Sequence, residues 1–139
     1  MAVPASTLPQ TGTTAPKPEQ YLCATDHSAG MVYDKAQKSW RSTTFRPDTN
    51  YVISKSDRAG EAFRVTNVGQ KFAGYYCKEG FNASDYLDCD GIGEFAFNKR
   101  NGRFLATYTI AYVHVGVAAD STDANSDTPI IAIGKCSPF

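Results

Sequence analysis

The chain has no surplus of either charge: fourteen Lys and Arg balance fourteen Asp and Glu across 139 residues. A nucleic-acid binder needs a basic face, so this balance argues against that class. No apolar run approaches the roughly 18 residues of a membrane-spanning helix, which excludes such a span. No G-x-S-x-G motif occurs, and no nucleophile stands beside an obvious base. Histidine is scarce, with only His27 and His114, and Trp40 is the single tryptophan. Residues 1–20 have no basic n-region and no apolar h-region, so they do not read as a secretory signal. What is present is ordinary for a globular protein: 42% hydrophobic and 20% charged residues in a length that suits one domain.

Four cysteines stand out in so small a chain: Cys23, Cys77, Cys89 and Cys136. An even count suggests disulfides and an oxidising compartment. Zinc sites bring ligands in close pairs, whereas these cysteines are 54, 12 and 47 residues apart. Three pairings are open. Cys77–Cys89 closes the short loop, and Cys23–Cys136 then ties the two ends of the folded part. Disulfides imply a periplasmic or extracellular protein whose export signal was removed and replaced by a start Met.

Residues 1–20 are rich in Pro, Thr and Ala and cannot build a packed core, so they read as a disordered or docking arm. Leu8-Pro9-Gln10-Thr11-Gly12 matches a cell-wall sorting pentapeptide, but neither an apolar stretch nor a basic tail follows it. From residue 21 to 139 the chain reads as a single all-β domain. Short runs rich in strand formers alternate with turn residues. The expected strands are Tyr21–Thr25, Gly30–Asp34, Ser39–Phe45, Asn50–Ser54, Ala62–Val68, Ala73–Lys78, Tyr86–Cys89, Glu94–Asn98, Arg103–Val115 and Thr128–Lys135. Asn101-Gly102 marks a hairpin, because both residues tolerate positive φ. Helix is expected nowhere beyond a single turn at Asn82–Tyr86. Eight to ten short strands predict an antiparallel sandwich or small barrel, stapled by disulfides.

Candidate chemistry is sparse. Cys23 and His27 could pair as thiolate and base, but a disulfide consumes the thiol. His114 falls on the aromatic side of its expected strand and reads as a packed histidine. Asp123, Asn125 and Asp127 have the spacing of a calcium loop, but Thr128 and Gly134 stand where it needs Gly and Glu. Asp85, Asp88, Asp90 and Glu94 form an acidic cluster that reads as a solvated loop. It could otherwise supply a carboxylate pair for hydrolysis. Asn82-Ala83-Ser84 is a glycosylation sequon. No metal and no cofactor is expected.

The positive signal is Trp40 and Phe45 among Lys35, Lys38, Arg41 and Arg46. Trp and Arg dominate binding hot spots. The only Trp of a small β domain ordinarily lies in the core with cationic side chains over its rim. If exposed, the six residues make an aromatic–cationic contact face.

The stretches YLCATDHSAGMVYDK, FAFNKRNGRFLATY and DTPIIAIGKCSPF, with Trp40 and Phe45 between the first two, resemble small exported bacterial proteins of uncharacterised function. The shared pieces are a cysteine near each end, a W…F pair, an FNxxxxRF hairpin and an IGKCSP ending. The resemblance spans Tyr21–Phe139 and implies bacterial export. In size and cysteine use the chain is also similar to periplasmic lysozyme inhibitors, without a recognisable inhibitory loop. The expected function is an exported, non-catalytic binding module for a protein, glycan or envelope component. The alternatives are a structural or assembly protein that oligomerises through residues 1–20, and a small hydrolase inhibitor or carboxylate-dependent hydrolase.

Overall fold

A computed structural model describes residues 19–113, 123 and 126–139. The expected arm therefore lies outside the described residues except for Glu19 and Gln20, as do His114 and Asn125. The described chain is almost entirely β. Its strands are β1 (Gln20–Asp34), β2 (Ser39–Phe45), β3 (Asn50–Lys55), β4 (Phe63–Asn67), β5 (Tyr75–Cys77), β6 (Tyr86–Gly91), β7 (Glu94–Asn98), β8 (Arg103–Tyr108) and β9 (Ile130–Pro138). Every pairing is antiparallel, and β9 returns to β1 to close an eight-stranded barrel of β1 and β3–β9. Of the two expected architectures, the barrel is the one adopted.

The ninth strand, β2, lies outside the closed ring. β1 is long enough to serve two neighbours on one edge: Gln20–Ala24 pair with β3 and Ser28–Asp34 pair with β2. Its other edge holds β9 from Tyr21 to Gly30. Sequence reading splits β1 into two strands, and the physical cause is a bulge. Thr25 opposes Gly134 and His27 opposes Ile133, so Asp26 is an extra residue. The inward set switches there from Tyr21, Cys23 and Thr25 to Ser28, which faces buried Ala132. A two-residue period cannot run through that switch.

Alternation fills the barrel. Tyr51, Ile53, Phe63, Val65, Tyr75, Leu87, Phe95, Phe97 and Phe104 all point inward and are buried. Phe95 stacks on Phe104 and meets Tyr51 and Tyr75. Phe81 caps one end of the barrel, edge-on to Tyr21, Phe63 and Phe97. Lys99 Nζ lies 4.3 Å above the Phe81 ring and 3.4 Å from the Glu19 carboxylate. Both expected disulfides are present, and both join facing strands. Cys23–Cys136 crosses the β1–β9 seam, and Cys77–Cys89 links β5 to β6.

Two local readings change. The β7–β8 hairpin turns through four residues between paired Asn98 and Arg103, with Gly102 alone at positive φ (78°). Gly102 N–H donates to the Asn98 carbonyl and Arg103 N–H to the Asn101 side chain. The long strand expected over Arg103–Val115 stops at Tyr108, where β9 ends its pairing at Ile130. Without a partner strand, Thr109 and Ile110 N–H both turn to the Ile92 carbonyl. A single helical turn, α1 (Ile110–Val113), follows, with Tyr112 and Val113 N–H on the Thr109 carbonyl. Among the described residues no helix is long and apolar enough to cross a membrane.

Candidate binding surfaces

The pleat divides the six residues of the expected contact face. Trp40 pairs with Tyr33 across β1–β2, whereas Arg41 pairs with Val32 and Phe45 with Ser28. Neighbouring side chains alternate, so Trp40 faces outward while Arg41 and Phe45 take the face continuous with the barrel interior. Lys35 and Lys38 sit in the β1–β2 turn. That turn is held by Asp34 Oδ1, which accepts Ala36 and Gln37 N–H, and Lys38 adopts positive φ (54°). Arg46 lies past the end of β2, beside the barrel mouth. The structure therefore gathers no single aromatic–cationic face from these residues.

Trp40 is not in the barrel core. It is half-buried on the outer wall, edge-on to Tyr33 at 5.4 Å and to Tyr112 at 5.3 Å. Its indole nitrogen is buried without a hydrogen-bond partner among the described residues. Beyond it the outer wall is unusually apolar. Register aligns Ala96, Leu105, Ile133 and His27 in one row over β7–β8–β9–β1, and Thr107, Ile131, Ala29 and Thr44 in the next. Met31, Tyr112, Ile131 and Ile133 are each about half exposed. Three adjoining hollows of about 540, 540 and 560 Å³ follow this wall, the last lined by Trp40, Met31 and Tyr112. Sequence reading missed the stripe. Its signal was Ile130-Ile131-Ala132-Ile133, a strand apolar on both faces where a barrel needs only one.

Acidic side chains flank the stripe on the β6–β7 side. Asp90 pairs directly with Glu94, and Asp88 with Ala96. Asp85 stands apart at positive φ, its carboxylate 3.1 Å from Arg100 Nε. Burial, then Asp88 and Asp90, hold the Glu94 carboxyl above its ordinary range. A carboxyl whose folded pKa is raised favours the fold while protonated and loses stability as it ionises with rising pH. Glu94→Gln should therefore raise stability at pH 7 by about 0.2–0.5 kcal/mol, the scale of a like-charged cross-strand pair at the surface. The gain should vanish below about pH 4, where the wild-type carboxyl is neutral. Urea melts at the two pH values measure it; a loss at pH 7 would show that Glu94 is favourably paired.

Of the calcium-like segment, Asp127 is engaged within the protein. Its carboxylate accepts the Tyr108 hydroxyl at 2.7 Å and Thr128 N–H at 2.8 Å. Among the described residues no three His, Cys, Asp or Glu side chains are grouped to hold a metal. The sequon residue Asn82 is exposed, its side-chain oxygen accepting Ser84 and Tyr86 N–H.

A different hollow opens at the barrel end opposite Phe81. It measures about 400 Å³ and is walled by Thr25, Ser28, Phe45, Tyr51, Tyr75 and Ala132, with Arg46 and Asp48 at its rim. Tyr75 donates its hydroxyl to the Thr107 carbonyl at 2.7 Å. Burial raises the pKa of Tyr51, keeping its phenol neutral.

Fold and surfaces together define a disulfide-stapled β-barrel with an apolar outer stripe and one open mouth. Comparison with protein-family models, curated proteins and solved structures finds no match to the chain.

Proposed function

We propose that this is an exported binding module, working in the periplasm or outside the cell, which docks a protein partner on the outer wall of β2–β1–β9–β8 without turnover. The observation that carries this reading is the stripe from Leu105 through Ile133 and Ile131 to Met31 and Trp40. Leu105, Met31, Ile131 and Ile133 lie outside the cluster of buried residues that forms the barrel core. Contiguous exposed apolar surface of this kind marks interaction sites. Trp40, held by two tyrosines, is a preformed aromatic anchor, and Met31 is an adaptable neighbour. Acidic Asp88, Asp90 and Glu94 on one flank and Lys35 and Lys38 toward the other favour a partner that sets basic side chains against the first and acidic ones against the second. Two disulfides support an oxidising compartment.

The test pairs folding with capture. Ile131→Lys with Ile133→Lys changes two half-exposed side chains and should leave the melting temperature nearly unchanged. It should abolish capture of the partner that the wild type retains from the source envelope fraction. Trp40→Ala should cost about 1–2 kcal/mol of stability through two lost ring contacts, well short of a core Trp. It should weaken capture by about 2 kcal/mol or more. Capture untouched by all three changes would refute the docking wall. Concentration-dependent dimers lost with the two lysines would make a second copy the partner. Turnover by the wild type, abolished in Asp88→Asn or Asp90→Asn, would overturn the non-enzyme reading.

A further inference from the structure

The two ends of the barrel are built differently. One is filled by Phe81, packed against Tyr21, Phe63 and Phe97. At the other, small side chains meet at one level across three strands. Ala106 faces Ala132 across β8–β9, and Ala132 faces Ser28 across β9–β1. Where the next level holds Phe104 and Phe97, this one carries Phe95 on β7 but only two methyls and a hydroxymethyl across β8, β9 and β1. The hollow of about 400 Å³ results, within the usual size of small-molecule sites.

Its walls combine apolar body and sparse polarity. Phe45, Tyr51, Tyr75 and Ile92 supply apolar faces, and among the described residues that line the hollow the only carboxylate and cation are those of the exposed rim residues Asp48 and Arg46. Thr25 lines the hollow with only 7% of its surface exposed, and its Oγ1 is buried with no hydrogen-bond partner among the described residues. Buried hydroxyls are nearly always paired, so this one has its partner still to find. Tyr51 also lines the hollow and carries a hydroxyl, whereas the hydroxyl of Tyr75 is committed to Thr107. A hydroxyl both donates and accepts, so Thr25 and Tyr51 can together hold a group that does the same.

We infer that the barrel mouth is a second, separate site, which takes a small uncharged molecule with a flat apolar body and a single hydroxyl, seated between Tyr51, Tyr75 and Phe45 and hydrogen-bonded to Thr25 and Tyr51. A carboxylate is excluded by the neutral interior, which would strip its water without replacing it.

The probe is 2-naphthol, with naphthalene and 2-naphthoate as controls, titrated calorimetrically into the full disulfide-bonded chain. Saturable one-to-one binding of 2-naphthol is expected, with 2-naphthoate at least about tenfold weaker. Thr25→Val and Tyr51→Phe keep shape and remove one hydroxyl each. Each should weaken 2-naphthol by about 3- to 10-fold and leave naphthalene unchanged. Ala132→Leu fills the hollow from its floor and should abolish binding. Ser28→Leu, at a less buried position than Ala132, should do the same. Ile131→Lys with Ile133→Lys, on the outer wall, should change nothing. The inference is overturned if the wild type shows no saturable binding, or if binding survives in a folded Ser28→Leu protein. It is equally overturned if binding is lost with the outer-wall lysines, or if Thr25→Val and Tyr51→Phe weaken naphthalene as much as 2-naphthol.

Discussion

Replacing Cys23 and Cys136 together by Ala should lower the unfolding free energy by about 4–5 kcal/mol, against about 3 kcal/mol for the Cys77→Ala, Cys89→Ala pair. The first bridge spans 113 residues and the second 12, so the first removes far more freedom from the unfolded chain. Topology adds to the asymmetry. Cys23 and Cys136 face each other across β1–β9, the seam joining the first and last strands of the ring. Without that bond the closure depends on contacts between the most distant parts of the described chain, whose loop entropy is not offset by any covalent link. Cys77 and Cys89 join strands that a short connection already keeps close. A small domain has only about 5–15 kcal/mol in total, so loss of the seam bond should leave it marginal at 37 °C. Urea unfolding of the two double variants, at matched slope, gives the comparison. Equal losses would show that loop length does not govern the stabilisation here.

Phe95→Ala should cost about 3–5 kcal/mol, the largest single-residue loss expected in the molecule. Phe95 is fully buried at the middle of the barrel. Its ring stacks on Phe104 at 5.4 Å and 7° and meets Tyr51 and Tyr75 at the same centroid distance. Truncation removes the ring from three aromatic neighbours at once and leaves a void that a closed cylinder of backbone hydrogen bonds cannot collapse to fill. Phe72 is the control: it is 83% exposed, and Phe72→Ala should change stability by no more than about 0.5 kcal/mol. Thermal and urea melts of both variants measure the contrast. A Phe95→Ala loss below about 1.5 kcal/mol would mean that the barrel closes around the missing ring.

Much of the architecture was legible because its causes are local. Phe95 and Phe97 alternate with Ala96 and Asn98, and a period of two places them on one face whatever lies opposite. Gly102 permits the positive φ that the β7–β8 turn requires. The even cysteine count suggested disulfides, and of three open pairings the one that closes the short Cys77–Cys89 loop and ties the ends through Cys23–Cys136 is the one present. The misreadings share a different cause. Arg103–Val115 alternates well beyond Tyr108, but a strand needs a neighbour, and β9 ends its pairing there. β1 read as two strands because the bulge at Asp26 reverses the inward set.

Composition, alternation and cysteine placement by themselves determined a disulfide-stapled all-β domain with its core aromatics facing inward, because each rests on residues close in the chain or on covalent chemistry. Closure into a barrel was decided only in three dimensions, as were the separation of Trp40 from Arg41 and Phe45, the apolar outer wall and the hollow beneath Ser28. Strand order and register bring Ala106, Ala132 and Ser28 to one level and Leu105, Ile133 and His27 to one row. These residues come from β1, β8 and β9, and no pattern within any one strand encodes which residue of another will face it. That choice belongs to the twist and stagger of the closed sheet, where a shift of a single residue turns every inward side chain out.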